Sequence, residues 1–178
     1  MLARCALAWT LAALPAALAL AKDGEDDSNH RIAVAAAGCA ELPSVAGAPT
    51  VHAGGAFTVG GGAAVSLVCT FSTDELDRSA DDSPKPVTFQ IAYLDSDGPG
   101  AGLVAVELVR TSLASEPSGH LDSVVCAWSS VAGGPIVATT ASLTCNDGIA
   151  EGAFYHLRVG LASAPGSTAS FIGVVARR

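Results

Sequence analysis

The chain has 178 residues, half of them hydrophobic, with 17 Asp and Glu against 9 Lys and Arg, for a formal net charge of −8. That length fits one domain. So acidic a surface repels phosphate backbones and anionic bilayers, which sets aside nucleic acid and anionic membranes as partners.

Met1-Leu-Ala-Arg4 is a short, singly charged start, followed by an uncharged run from Cys5 through Leu7, Trp9 and Leu11 to Leu20. Ala19-Leu20-Ala21 places small residues where a signal peptidase reads, and Pro15 interrupts the helix ahead of them. The run is Ala-rich and shorter than the roughly 20 residues a spanning helix needs. Residues 1–21 therefore read as a cleavable signal peptide and the protein as extracytoplasmic, periplasmic or secreted. No membrane insertion is expected after cleavage. Lys22 to Asp27 opens a charged stretch without apolar periodicity, so residues 22–37 read as a flexible, disordered leader to a single domain over 38–178. Gly38-Cys39 has the look of a lipoprotein cleavage site, but the apolar run that should feed it lies too early in the chain.

From there the sequence alternates. Val65, Leu67, Cys69 and Phe71 predict one inward stripe, and Val87, Phe89, Ile91 and Tyr93 a second. Val104, Val106 and Leu108 follow, with Ala105, Glu107 and Val109 opposed. Val124, Cys126 and Trp128 share a face against Ser123, Val125, Ala127 and Ser129. Ala141, Leu143 and Cys145 form the next stripe. Tyr155, Leu157, Val159 and Leu161 then turn inward and Phe154, His156 and Arg158 outward, before a closing strand through Phe171, Ile172, Val174 and Val175. Turn clusters separate the strands: Gly60 to Gly62, Asp81 to Pro84, Asp95 to Gly100, Glu116 to Gly119, Gly133 to Pro135, Asn146 to Gly148 and Ala164 to Ser167. Thr73 to Arg78 reads as a turn or a single helical turn. With no long 3.6-residue pattern, the fold class is all-β: an antiparallel, jelly-roll-like β-sandwich.

Cys5 leaves with the signal peptide. Cys39, Cys69, Cys126 and Cys145 remain, an even set in an exported chain, which predicts two disulfides. Three connectivities are open. Cys39–Cys69 with Cys126–Cys145 is the favoured one, the second pair flanking an expected hairpin at Gly133-Gly134.

Little chemistry is prefigured. His30, His52, His120 and His156 lack metal-ligand spacing, and the cysteines lack the close pairs zinc wants. Ser118-Gly-His120-Leu-Asp122 gathers three triad residue types, but triads are assembled across a fold, and the segment reads as a polar turn. Asp74, Asp77 and Asp81, with Asp95 and Asp97, are the residues that could hold a structural calcium; neither group follows the twelve-residue calcium-loop pattern, and solvated turns are the competing reading. No catalytic residue and no cofactor is implied.

Val124-Val-Cys126-Ala-Trp128, then Ala153-Phe-Tyr-His-Leu-Arg-Val159 and Phe171-Ile-Gly-Val174, together with Val68-Cys69, Val87 to Tyr93 and the acidic turn at Asp95, give the chain its one resemblance. Over residues 60–176 it resembles small secreted bacterial proteins with a jelly-roll-like β-sandwich and no assigned activity. The resemblance implies an exported sandwich and carries over no catalytic residues. Three functions compete. An exported, non-enzymatic binding or surface-interaction module, its partner a protein or a glycan, needs no polar constellation and leads. A structural subunit of an extracellular assembly would show an exposed apolar edge, and an unrecognised hydrolase would need convergent titratable groups in a pocket.

Overall fold

A computed structural model of the chain describes residues 31–42, 51–53, 55–72, 76, 86–95, 102–113, 120–130, 138–147, 149 and 153–177. Residues 1–30, including the expected signal peptide, lie outside these, as do Asp74, Asp77, Asp81, Asp97 and Ser118.

Eleven strands are described: β1 Arg31–Ala35, β2 Cys39–Glu41, β3 Val51–Ala53, β4 Ala56–Gly60, β5 Ala64–Thr70, β6 Val87–Asp95, β7 Gly102–Leu113, β8 His120–Ser129, β9 Thr139–Cys145, β10 Phe154–Ser163 and β11 Thr168–Arg177. A 3-10 turn, Ala36–Gly38, joins β1 to β2. Every pairing is antiparallel. One sheet runs β3-β4-β11-β6-β9, with β1 also on β11; the other runs β2-β5-β10-β7-β8. The two pack face to face as a β-sandwich. Phe57, Phe89, Ile91 and Phe171 from the first meet Leu67, Leu108, Leu157 and Leu161 from the second, all but sealed from solvent.

The two-residue period explains the long strands. β6 is buried at every odd position from Val87 to Asp95 and half-buried at every even one. β10 buries Tyr155, Leu157, Val159 and Leu161 and turns Phe154, His156 and Arg158 outward. Between β10 and β11 the chain changes sheets at Ala164-Pro-Gly-Ser167, where Ser167 N–H donates to Ala164 O at 3.1 Å. Pro165 presets its own φ, and Gly166 sits at φ 87°, a conformation costly for any residue with a Cβ.

Four sequence expectations are corrected. Residues 31–37 are not part of a leader: β1 pairs with β11 from Arg31↔Arg177 to Ala35↔Gly173, and Ala36 is fully buried. The approach is close, since a Cβ on Gly173 would fall 2.8 Å from Val34 O. A charged flank and an Ala-rich composition hid this strand. Second, β8 and β9 do not form a hairpin, because they belong to different sheets. The Cys126–Cys145 disulfide therefore clasps the edge strand of one sheet to that of the other, its Cα atoms 5.5 Å apart. Cys39–Cys69 joins β2 to β5 at a directly opposed pair, Cα atoms 4.1 Å apart. Both edges of the five-stranded sheet are thus tied down, the places where sheets otherwise invite unwanted pairing. Third, Val124 does not share the face of Cys126 and Trp128. The β7–β8 register shifts between Leu108 and Val109, leaving Val125 as the extra residue and reversing the alternation, so that Val124 points out. Fourth, Val109 is outward in register yet 1% exposed, and it stands apart from the main core. Of Thr73 to Arg78 only Leu76 is described, a buried turn residue.

Candidate functional site

The outward faces of the two sheets differ in chemistry. On the six-stranded sheet the outer polar groups satisfy one another: Thr58 Oγ1 and Ser170 Oγ at 2.8 Å, Thr88 Oγ1 and Thr144 Oγ1 at 3.1 Å, and Arg177 donating to Gln90 Oε1 at 3.2 Å. Hydroxyl pairs across strands stabilise a sheet modestly and leave few free bonding positions.

The five-stranded sheet carries every exposed large hydrophobic residue among those described: Leu42, Leu103, Leu121, Val124 and Phe154. Register and alternation put all but Leu121 on its outer face. Three rows across the strands carry the chemistry. The first is Asp122–Thr111–Phe154, and the second Val124–Val109–His156–Thr70. The third is Ala127–Glu107–Arg158–Val68. Beyond it lies a row of small side chains, Ser129–Ala105–Gly160–Ser66, closed by Leu42, whose N–H donates to Ser66 O at 2.8 Å. Phe154 is 65% exposed, an aromatic ring standing clear of the sheet.

Two polar features share the face with that ring, one beside it and one two rows away. Thr111 Oγ1 donates to Asp122 Oδ1 at 2.9 Å and lies 3.4 Å from His156 Nδ1. Arg158 donates from both Nε and Nη2 to Glu107 Oε2, each at 2.6 Å. The second pair is well solvated, so it orders the two side chains and adds at most about 1 kcal/mol.

The face was only partly visible in sequence. Phe154, His156 and Arg158 follow from the alternation of β10. Thr111 and Asp122 come to His156 through the β7–β8 and β7–β10 registers, which no local pattern announces. Asp122 therefore meets Thr111. Val124 needed the bulge.

Of the calcium candidates, Asp95 is described. It is buried at the end of β6, where its Oδ2 accepts from Ser130 Oγ at 2.7 Å, and Ser130 Oγ in turn accepts from Val104 N–H at 3.0 Å. This is a polar bridge between the two sheets. Asp74, Asp77, Asp81 and Asp97 lie outside the described residues. Among the described residues no three His, Cys, Asp or Glu side chains are grouped to hold a metal, and no helix is long and apolar enough to cross a membrane. Burial, and secondarily the nearby Asp95, push the Tyr93 phenol above its usual pKa, and its ring packs edge-on against Trp128 with centroids 4.9 Å apart.

No known protein family matches the chain, and no curated protein matches it in sequence. Solved structures of similar shape include the CBM22-1–GH10 modules of the Clostridium thermocellum endo-1,4-beta-D-xylanase 10B complexed with xylohexaose. That likeness has 13% identity and a TM-score of 0.45 over 86% of this chain, which spans only 29% of that one. A xylan-binding module, CBM15, matches at 16% identity and a TM-score of 0.44, with 84% and 97% of the two chains covered. A Stig cyclase from Fischerella matches at 13% identity and a TM-score of 0.41, covering 84% and 85%. Sandwich folds host unrelated activities, so function must be argued from the face itself.

Proposed function

We propose that the protein is an exported, non-enzymatic binding module, that its site is the outer face of the five-stranded sheet, and that its ligand is a neutral glycan chain. One observation carries the reading: the exposed apolar side chains gather on this face, beside groups able to hydrogen-bond outward. A sugar ring has an apolar C–H face and a rim of hydroxyls. Phe154 suits the first, and His156, Thr111, Asp122, Glu107 and Arg158 suit the second. The row Ser129–Ala105–Gly160–Ser66 leaves room beside them. A net charge of −8 disfavours polyanionic ligands.

Hydrolysis is less well supported. The carboxylates of this face, Glu107 and Asp122, stand two rows apart. At about 3.4 Å per residue that is roughly 14 Å along the strands, wider than the ~5–10 Å separations of glycoside hydrolases. Four cysteines joined in two pairs suit an oxidising compartment, in line with processing after Ala21.

Affinity electrophoresis of the mature protein through xylan, β-glucan and galactomannan tests the proposal. Retardation in at least one is expected. Phe154→Ala should abolish most of it, as should Gly160→Leu, whose Cβ meets nothing tighter than Ala105 Cβ at 3.8 Å. No retardation in any gel, or retardation indifferent to both substitutions, would sink the reading; binding of a protein and of no glycan would replace it.

A further inference from the structure

We infer that His156 is the specificity-determining residue of this face: Thr111, anchored on Asp122, holds its ring in the Nδ1–H form, leaving Nε2 as a hydrogen-bond acceptor for a ligand hydroxyl. The inference rests on the binding reading above and names the group that reads the ligand's hydroxyls.

The direction of the bonds follows from the donor count. Asp122 accepts only, so the single Thr111 hydroxyl proton is spent on Oδ1 at 2.9 Å. Thr111 Oγ1 then faces His156 Nδ1 at 3.4 Å with lone pairs alone, and the contact bonds only if Nδ1 carries the proton. A neutral imidazole has one N–H, so Nε2 is left bare. His156 is half-buried and stands opposite Val109, which is all but sealed from solvent, so its flank is apolar. The tautomer fixed on one side of the ring sets what the other side offers, as in metal-binding histidines oriented by their outer hydrogen bonds.

The charged groups around the ring are few. β10 supplies Arg158 and β7 supplies Glu107, and these are bonded to each other one row away. β8 supplies Asp122 and has His120 at its first position, and on β5 the opposed residue is Thr70. In that row Thr70 brings one further hydroxyl, which can donate or accept. Removing the Nε2 acceptor should weaken binding by roughly tenfold, the loss of one hydrogen bond in a partly dry site.

Nitrogen-15 NMR of the imidazole tests the tautomer on the full mature protein at pH 8. The wild type should show a protonated Nδ1 and a bare Nε2, and Thr111→Val should shift the population toward Nε2–H. An Nε2–H form in the wild type, or no change on Thr111→Val, overturns the inference. Binding of xylohexaose and cellohexaose at pH 8 reads the consequence. Affinity for whichever is bound should fall roughly tenfold in His156→Ala and be largely restored in His156→Gln, which keeps an amide oxygen acceptor. Undiminished affinity in His156→Ala refutes the role of His156 while leaving the glycan reading intact. If neither sugar binds, the inferred role in ligand recognition falls together with the glycan reading, even where the tautomer is as assigned.

Discussion

Replacing Leu157 by Ala, alongside His156 by Ala, separates the inward and outward faces of one strand. Leu157 is fully buried in the middle of β10, opposed by Leu108 on β7 and Cys69 on β5. Truncation removes three carbons at about 0.8 kcal/mol each, and the surrounding sheets, held by neighbours on both sides, can collapse only partly into the space. With the cavity contribution the loss should reach about 3–4 kcal/mol, within the range seen for buried leucines. For a domain of this size that lowers the melting midpoint by roughly 6–16 °C. His156 loses one long hydrogen bond to Thr111 and a half-exposed ring, so its truncation should cost under about 1 kcal/mol. Guanidinium unfolding of the two variants, followed by tryptophan fluorescence from Trp128, gives both numbers with a common slope. Equal losses, or a larger one at His156, would mean that β10 is buried on both faces and that its outer row is no binding surface.

Free-thiol titration of the denatured, unreduced mature protein should find essentially none; finding two or four thiols would contradict the pairs Cys39–Cys69 and Cys126–Cys145. Gly173→Val should expel β1, because even a Cβ would fall 2.8 Å from Val34 O. Amide exchange at residues 31–35 would then accelerate while the centre of β10 stays protected, whereas unchanged exchange would show that β1 is not held there. Tyr93 has a folded-state pKa above its unfolded value, so it favours the protonated, folded form. Stability is unaffected below about pH 10 and should fall as pH rises past it; a Tyr93→Phe variant should lose less stability over that window, and identical curves would refute the assignment.

How much of this was legible depends on how local the signal was. β5 to β11 announce themselves because a sheet with one buried face writes a two-residue period into the chain, and Val87 to Tyr93 is its clearest example. β1 to β4 are three to five residues long, Ala- and Gly-rich, and stable only through partners far away in sequence, as Ala35 is through Gly173 and Phe57 through Phe171. Their alternation is too short to read. The bulge at Val125 has no local signature either, and with it went the outward placement of Val124. The disulfide partners could be favoured but no local pattern dictates them, because the pairing of Cys126 with Cys145 depends on two edge strands from different sheets meeting. The candidate site was half visible: one strand's outward residues can be read from alternation, whereas the relay from Asp122 through Thr111 to His156 exists only once three strands are in register.

The most direct test of the central claim is an amide chemical-shift map of the mature protein titrated with neutral oligosaccharides. Xylohexaose, cellohexaose and mannohexaose would each be added to the same labelled sample. For at least one of them the account predicts saturable shifts clustered at Phe154, His156, Arg158, Gly160, Thr111 and Asp122, with Thr88, Gln90 and Ser142 on the opposite sheet unmoved. Saturable shifts centred on the six-stranded sheet, or none with any of the three, would contradict it.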